Sequence, residues 1–331
     1  MVGFEENEIS KNANGGTELS KRSISATLPE ELLSNFQIIA SRMRDLDESK
    51  IRVYWHHDLP EDPEVKHLSD SSSRDKFHKF VFVSNWQLNE FNLKLGLPLN
   101  DKAIVIENPI TPISFKNKPT DKINLVYFST PQRGLEILIP VFEKLAEKYD
   151  NIHLDVFSSF KIYGWEDSDK QFEPLYNRIR QHPKMTYHGY ADQETLRNRL
   201  AESHILAYPN IWKETSCRVL IESMSAGLMC VHPNYGALPE TSAGLTSMYQ
   251  FDENKNQHAS KFYQYLEHAV NVVNNENSQN YLRFIKTYAD SRFNLEKISS
   301  QWRVTLEELH EKYPTVESRA YPKAQFFYRT S

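Results

Sequence analysis

The chain has 331 residues, enough for two ordinary domains, each with its own core. Its 39 Lys and Arg against 44 Asp and Glu give a mild negative charge, which excludes a whole-chain electrostatic footprint for nucleic acid. No apolar run approaches a membrane span, no signal peptide opens the chain, and only Cys217 and Cys230 occur, so a reducing cytoplasm is expected and neither a disulfide framework nor a cysteine zinc site is.

Strand-like runs alternate with helical patterns through most of the chain, which argues for an α/β fold with parallel sheets. In the first part the expected helices are TELSKRSISATL and NWQLNEFNLKLG, the second ended by Gly96 and Pro98. The expected strands are FQIIAS, IRVYW, KFVFVS and KAIVIEN. Residues 1–14 contain no apolar run, so the first sheet begins later. The proline-rich PITPISFKNKPTDK reads as a linker. The alternation then restarts: INLVYFS, IHLDVFS, MTYHG, HILAYPN and LMCVHPN as strands, with helices over GLEILIPVFEKLAEKY, KQFEPLYNRIRQH and DQETLRNRLAES, the last opened by Asp192. From Lys261 on the chain reads as mostly helical, with YADSRFNLEKISSQWRVTLEELHEKY as its last long helix. The expected organisation is an N-terminal domain over 1–115, a second over 116–290, and a C-terminal helix and tail over 291–331 packing back toward the first. Two doubly wound, Rossmann-like units in tandem would face a cleft at the carboxyl ends of their strands.

The segment KETSCRVLIESMSAG carries the most chemistry. Thr215 and Ser216 are good helix caps, CRVLIESMSA has helical spacing, and Gly227 stands where a terminating glycine would. Glu214 would then lie just before a helix and Glu222 two turns inside it, facing out. Ser216 to Glu222 spans roughly 9 Å at a helical rise, about the reach from a sugar past a diphosphate to a ribose. Helix N–H groups between the acids suit an anion.

With NGGTE, VYWHHDLP, KFVFVSNW, VIENPI, STPQRGLEIL, YHGYADQETL, PNIWKETSCRVLIESMSAG, PNYGALPET and RFNLEKISSQW in this order, the chain resembles the retaining nucleotide-sugar glycosyltransferases of the GT-B fold. More narrowly, it resembles bacterial and phage hexosyl- and mannosyltransferases whose paired acids are separated by seven residues. The resemblance runs from about Asn14 to Trp302. It implies a UDP- or GDP-sugar as donor and no obligatory cofactor or metal. It implies that Glu214 positions the donor sugar, that the backbone at Thr215, Ser216, Cys217, Arg218 and Val219 holds the distal phosphate, and that Glu222 takes the ribose hydroxyls. Arg133 matches the basic residue on the diphosphate, His57 the histidine of the first domain that reaches the donor sugar, and Tyr190 the place of the nucleobase. Gly15 and Gly16 would let backbone approach the phosphates.

Two adjacent histidines at a strand end point to opposite faces, so only one of His56 and His57 can enter the cleft. Ser129 and Thr130 stand where the family commonly has a glycine–arginine pair, and Lys161 either supplies the missing charge or is a surface lysine. Asp167 and Asp169 imitate a metal-binding pair but fall in a polar loop, where solvated charge is the better reading. The acceptor expected is a glycan or lipid-linked sugar. A hydroxymethylated DNA base is the alternative, for which Lys21 with Arg22, Arg42 with Arg44, and Arg74, Lys76 and Lys79 could form a basic rim although residues 1–120 hold 15 basic against 18 acidic side chains. A sugar-nucleotide epimerase and a non-catalytic binding protein are the rivals from other classes.

Overall fold

The computed structural model describes residues 2–3, 13–43 and 45–320. Arg44, most of the acidic N-terminus and the tail from 321 on, to which the sequence analysis gave a rim residue, an open role and a packing site, lie outside the described residues.

Two compact units divide the chain. Among the described residues, the first unit holds Lys21–Glu107 and the chain from Ile298 on, and the second holds 13–20 and Asn108–Lys297. Helix α1 (Gly16–Ser25) therefore begins in one unit and ends in the other.

In the first unit β1 (Phe36–Ala40), β2 (Ile51–Trp55), β3 (Lys79–Phe82) and β4 (Ala103–Val105) form a parallel sheet in sequence order. The mostly apolar strands β1 to β3, nearly all of whose residues are buried, suit strands covered on both faces. After β3, Ser84 caps α2 (Asn85–Leu95) by accepting from the Gln87 amide, and Gly96 ends it at φ 66°. Strand β2 shows the alternation of faces in its aromatic side chains. Tyr54 and His56 point to one side, where His56 is fully buried with its ring 4.7 Å from Phe82 and 4.6 Å from Phe91. Trp55 and His57 point to the other, their rings 4.5 Å apart, and Trp302 lies edge-on to Trp55.

The second unit carries a six-stranded parallel sheet in the order β10-β9-β8-β5-β6-β7. Its strands are β5 (Ile123–Phe128), β6 (Ile152–Phe157), β7 (Met185–Tyr187), β8 (Ile205–Ala207), β9 (Met229–Pro233) and β10 (Ser247–Tyr249). The helices between them are α3 (Leu135–Lys148), α4 (Glu173–Gln181), α5 (Gln193–Glu202) and α6 (Arg218–Ser225), followed by α7 (Lys255–Val272) and α8 (Glu276–Arg292). The chain winds outward from β5 through β7 and restarts on the other side of β5 with β8. That reversal is the switch point at which open α/β sheets bind ligands, beyond the carboxyl ends of β5 and β8.

The structure corrects several boundaries. The single terminal helix expected over 288–313 is two, α8 and α9 (Leu295–Lys312), because Asn294 leaves the helix to cap the Glu296 amide and its backbone bridges to Ile110. Helix α7 starts at Lys255, ahead of the expected Lys261, behind the Asn254 cap. Residues Glu166–Phe172 form a 3-10 stretch, so α4 begins at Glu173. Strand β10 was not anticipated. Its three residues carry too short a pattern to read as a strand.

Candidate active site

The loops that leave β5 and β8 bring the first group together. After β5 a 3-10 turn, Pro131–Arg133, leads to Gly134 at φ 115°. A Cβ on Gly134 would stand 2.1 Å from the Pro209 carbonyl oxygen at the end of β8, so only glycine lets these two loops approach. The turn places the Arg133 guanidinium on the Glu214 carboxylate, and Tyr208 donates to the same carboxylate oxygen at 2.7 Å. Arg133 also lies over the Trp212 ring, 5.7 Å from its centre. Glu214 is only 5% exposed, so its charge depends on these partners. Burial alone would lower the Arg133 pKa, but the adjacent Glu214 charge outweighs it and holds the guanidinium well above its ordinary value. Burial, reinforced by Glu214, pushes the Tyr208 phenol up, so it remains a donor. The Arg133 Nε is buried with no hydrogen-bond partner among the described residues.

Glu214 is positioned from behind by Gly236, which sequence reasoning quoted only as part of a motif. A Cβ there would stand 2.5 Å from the Glu214 carbonyl oxygen and 2.7 Å from its amide, and Gly236 sits at φ 61°. The next residue, Ala237, donates its amide to that carbonyl at 2.8 Å.

The second group surrounds α6. Its cap is Cys217 rather than Thr215 or Ser216, and no side chain closes the cap. The helix starts later than expected because Cys217 keeps an extended backbone, φ −110° and ψ 95°. The amides of Cys217, Arg218 and Val219 meet no acceptor among the described residues, as the first turn of a helix leaves them. Burial pushes the Cys217 thiol well up, so it behaves as a small apolar group there. Glu222 does not face out, as its helical phase suggested. It is 5% exposed and accepts from Arg218 at 2.7 Å, one turn back on α6. Arg218 in turn donates to the Pro109 carbonyl and reaches the Ser20 hydroxyl of α1, which donates to Asn108. Neither Asn108 nor Ser20 was a candidate, although Asn108 lies in the VIENPI segment.

Ser129, Thr130 and Tyr190 line a partly open recess beyond the ends of β5, β6 and β7. Asn14 lines it too and donates to the Tyr190 hydroxyl at 2.7 Å. Gly15 follows with no room for a side chain, since a Cβ would stand 2.6 Å from the Tyr163 ring, and Gly16 faces the Arg218 stem. Thr215, Ser216 and Val219 are half-buried beside these groups in sequence. Lys161 is exposed and pairs with Glu166 at 3.1 Å. Asp167 pairs in solvent with Lys170, whereas Asp169 accepts from Ser159, the Phe160 amide and Tyr176 and so braces its own loop. No group of side chains suited to a metal occurs among the described residues. His57 belongs to the first unit, where burial lowers its pKa to about 3 and keeps it neutral.

The family described as glycosyl transferases group 1 matches residues 111–276, half of the chain. The chain belongs to this family. No curated protein matches the glycosyltransferase chain in sequence. Among solved structures, a glycosyltransferase from Rickettsia africae ESF-5 is similar at 16% identity and a TM-score of 0.67, over 92% of this chain and 84% of that one. Anabaena HepE in complex with UDP-glucose is similar at 16% identity and a TM-score of 0.58, over 88% and 82%. Sucrose-phosphate synthase from Thermosynechococcus elongatus is similar at 13% identity and a TM-score of 0.63, over 89% and 78%. At these identities the likeness speaks for the fold, and it agrees with two Rossmann-like parallel-sheet units of the GT-B type. No described helix is long and apolar enough to cross a membrane.

Proposed function

We propose that this glycosyltransferase moves a sugar from a UDP- or GDP-sugar to a hydroxyl of a glycan or lipid-linked sugar, with retention at the anomeric carbon and without an obligatory metal. One observation carries the reading. Glu214 and Glu222 are both withdrawn from bulk water, each is held by an arginine, and the open amides at the start of α6 lie between them in the chain. Buried carboxylates are costly unless their partners or a ligand use them. Glu214 is assigned to the donor sugar's hydroxyls and Glu222 to the ribose, an ionised carboxylate being able to accept from two hydroxyls at once. Arg133 and the α6 amides are assigned to the diphosphate, where negative charge grows as the glycosidic bond breaks. His57 is the first unit's proposed contribution to the sugar. The recess lined by Ser129, Thr130 and Tyr190 would take the nucleobase.

The experiment is nucleotide-sugar turnover with and without a sugar acceptor, with the anomeric proton followed by NMR. Transfer with retained configuration supports the reading, while conversion of donor alone into an isomer would make the chain an epimerase. Glu222→Ala should weaken nucleotide binding by about 1.5–3 kcal/mol, the worth of a charged hydrogen bond. Unchanged affinity by calorimetry would remove Glu222 from the donor site.

A further inference from the structure

We infer that the recess beyond β5, β6 and β7 selects a uracil-type pyrimidine nucleoside diphosphate over its purine counterparts. This rests on the proposed function, which leaves UDP and GDP equal. The recess has apolar walls, Phe128 from the end of β5 and Phe157 from the end of β6, with the Phe157 ring fixed by stacking on His188 at 4.2 Å. Its polar lining is entirely neutral: hydroxyls of serine, threonine and tyrosine, with the amides of Asn14 and Gln193. None of the described residues lining it is charged.

That lining is poorly matched to guanine. The guanine edge places two adjacent donors, N1–H and the 2-amino group, where one carboxylate would accept both in a charge-assisted pair. Three acids near the lining are engaged elsewhere. Asp192, between the lining residues Ala191 and Gln193, caps α5 by accepting from the Thr195 amide and hydroxyl. Asp155 accepts from His188 and Arg199, and Asp169 braces its loop.

Donors, by contrast, are in surplus. Thr130 is 4% exposed and its hydroxyl has no partner among the described residues, although it lines the recess. The backbone amides of Gly189 and Tyr190, both at the lining, meet no acceptor there either. A buried hydroxyl without a partner, such as that of Thr130, wants an acceptor on the ligand, and the amides of Gly189 and Tyr190 add donors beside it. Uracil offers two carbonyl oxygens, each with two lone pairs, against a single N–H, whereas guanine adds only ring nitrogens to its one carbonyl and adenine has ring nitrogens alone, each against an amino group. Uracil therefore has the most acceptor lone pairs per N–H, and it is the base the recess satisfies.

The test is calorimetric titration of the full chain with UDP, GDP and ADP. UDP should bind at least about tenfold tighter than either purine nucleotide, a difference of about 1.4 kcal/mol. Gln193→Glu, a half-buried change at the first turn of α5 where an acid is tolerated, adds the missing carboxylate and should shift the ratio toward GDP. Equal or tighter binding of GDP or ADP by the unaltered chain would overturn the selectivity while leaving the nucleotide-sugar reading standing. An unmoved ratio in Gln193→Glu would overturn the role given to the lining. Failure of all three nucleotides to bind would overturn both readings together.

Discussion

Arg133 and Glu214 form a nearly closed pair, and the cost of breaking it from either side should be unequal. The Arg133 side chain is 21% exposed and that of Glu214 7%. Arg133→Ala removes a charged hydrogen bond, about 1.5–3 kcal/mol, and leaves the carboxylate with Tyr208 alone in a site water barely reaches. Orphaning one member of a buried pair costs about 3–5 kcal/mol, and the lower end applies here because the pair is not fully dry. Glu214→Gln leaves Arg133 without its counter-charge, but a guanidinium one-fifth exposed recovers hydration, so roughly 1–2 kcal/mol is expected. The double variant has no orphaned charge and should be no less stable than Arg133→Ala alone, a coupling of roughly 2 kcal/mol. Urea unfolding of the four proteins, followed through a signal from the second unit, measures it. If the two losses simply add, the pair is not an electrostatic unit and the account of the site's charge fails. Turnover separates stability from chemistry: were Arg133 on the leaving diphosphate, Arg133→Ala should cost about a hundredfold or more in kcat, and the double variant should not recover it.

Gly236→Ala should destabilise the second unit by about 2 kcal/mol or more. Its Cβ would collide with both the amide and the carbonyl of Glu214 at a positive φ, and urea unfolding with nucleotide titration should show stability and affinity lost together. An alanine variant of wild-type affinity would dissociate Gly236 from Glu214. In the first unit, burial first and then the neighbouring His57 hold His56 well below 6.5, and burial holds His57 at about 3. Both therefore fold neutral, and the unfolded chain takes up their protons first. Their stabilisation is complete above pH 6.5 and is lost as pH falls from there toward 3, at no more than about 1.4 kcal/mol per pH unit for each. His56→Phe, which keeps the aromatic cluster, should flatten that slope in acid-titrated unfolding, and an unchanged slope would show that His56 does not titrate in this window.

The β-strands were legible because parallel strands buried on both faces are mostly apolar, and nine of the ten fall on the segments expected as strands. Helix ends set by tertiary contacts were less so. Asn294 breaks the last helix through a bridge to Ile110, a residue 184 positions earlier, and no local pattern carries that information. At the site the two acids were visible as a spacing, but their surroundings were not. Tyr208 read as the end of a strand, and Gly236 only as part of PNYGALPET. Their roles come from loops that meet only when β5 and β8 lie side by side. Glu222 was expected outward because helical phase alone cannot register its pairing with Arg218, which Pro109 and Ser20 anchor in turn.

The same arrangement sets a physical requirement on any ligand. Each acid is already matched by an arginine, so Glu214 with Arg133 and Glu222 with Arg218 offer no net charge to attract a diphosphate. Attraction has to come from donors not yet committed. Arg133 spends Nη1 on Glu214 and keeps a buried Nε without a partner, and Arg218 likewise keeps its Nε. With five N–H donors on each guanidinium, an arginine can hold a carboxylate on one edge and a phosphate on the other. The open amides at the start of α6 add donors that cost no reorganisation. On the proposed function, a diphosphate would enter without separating either ion pair, and the two pairs would fix the donors in place for it.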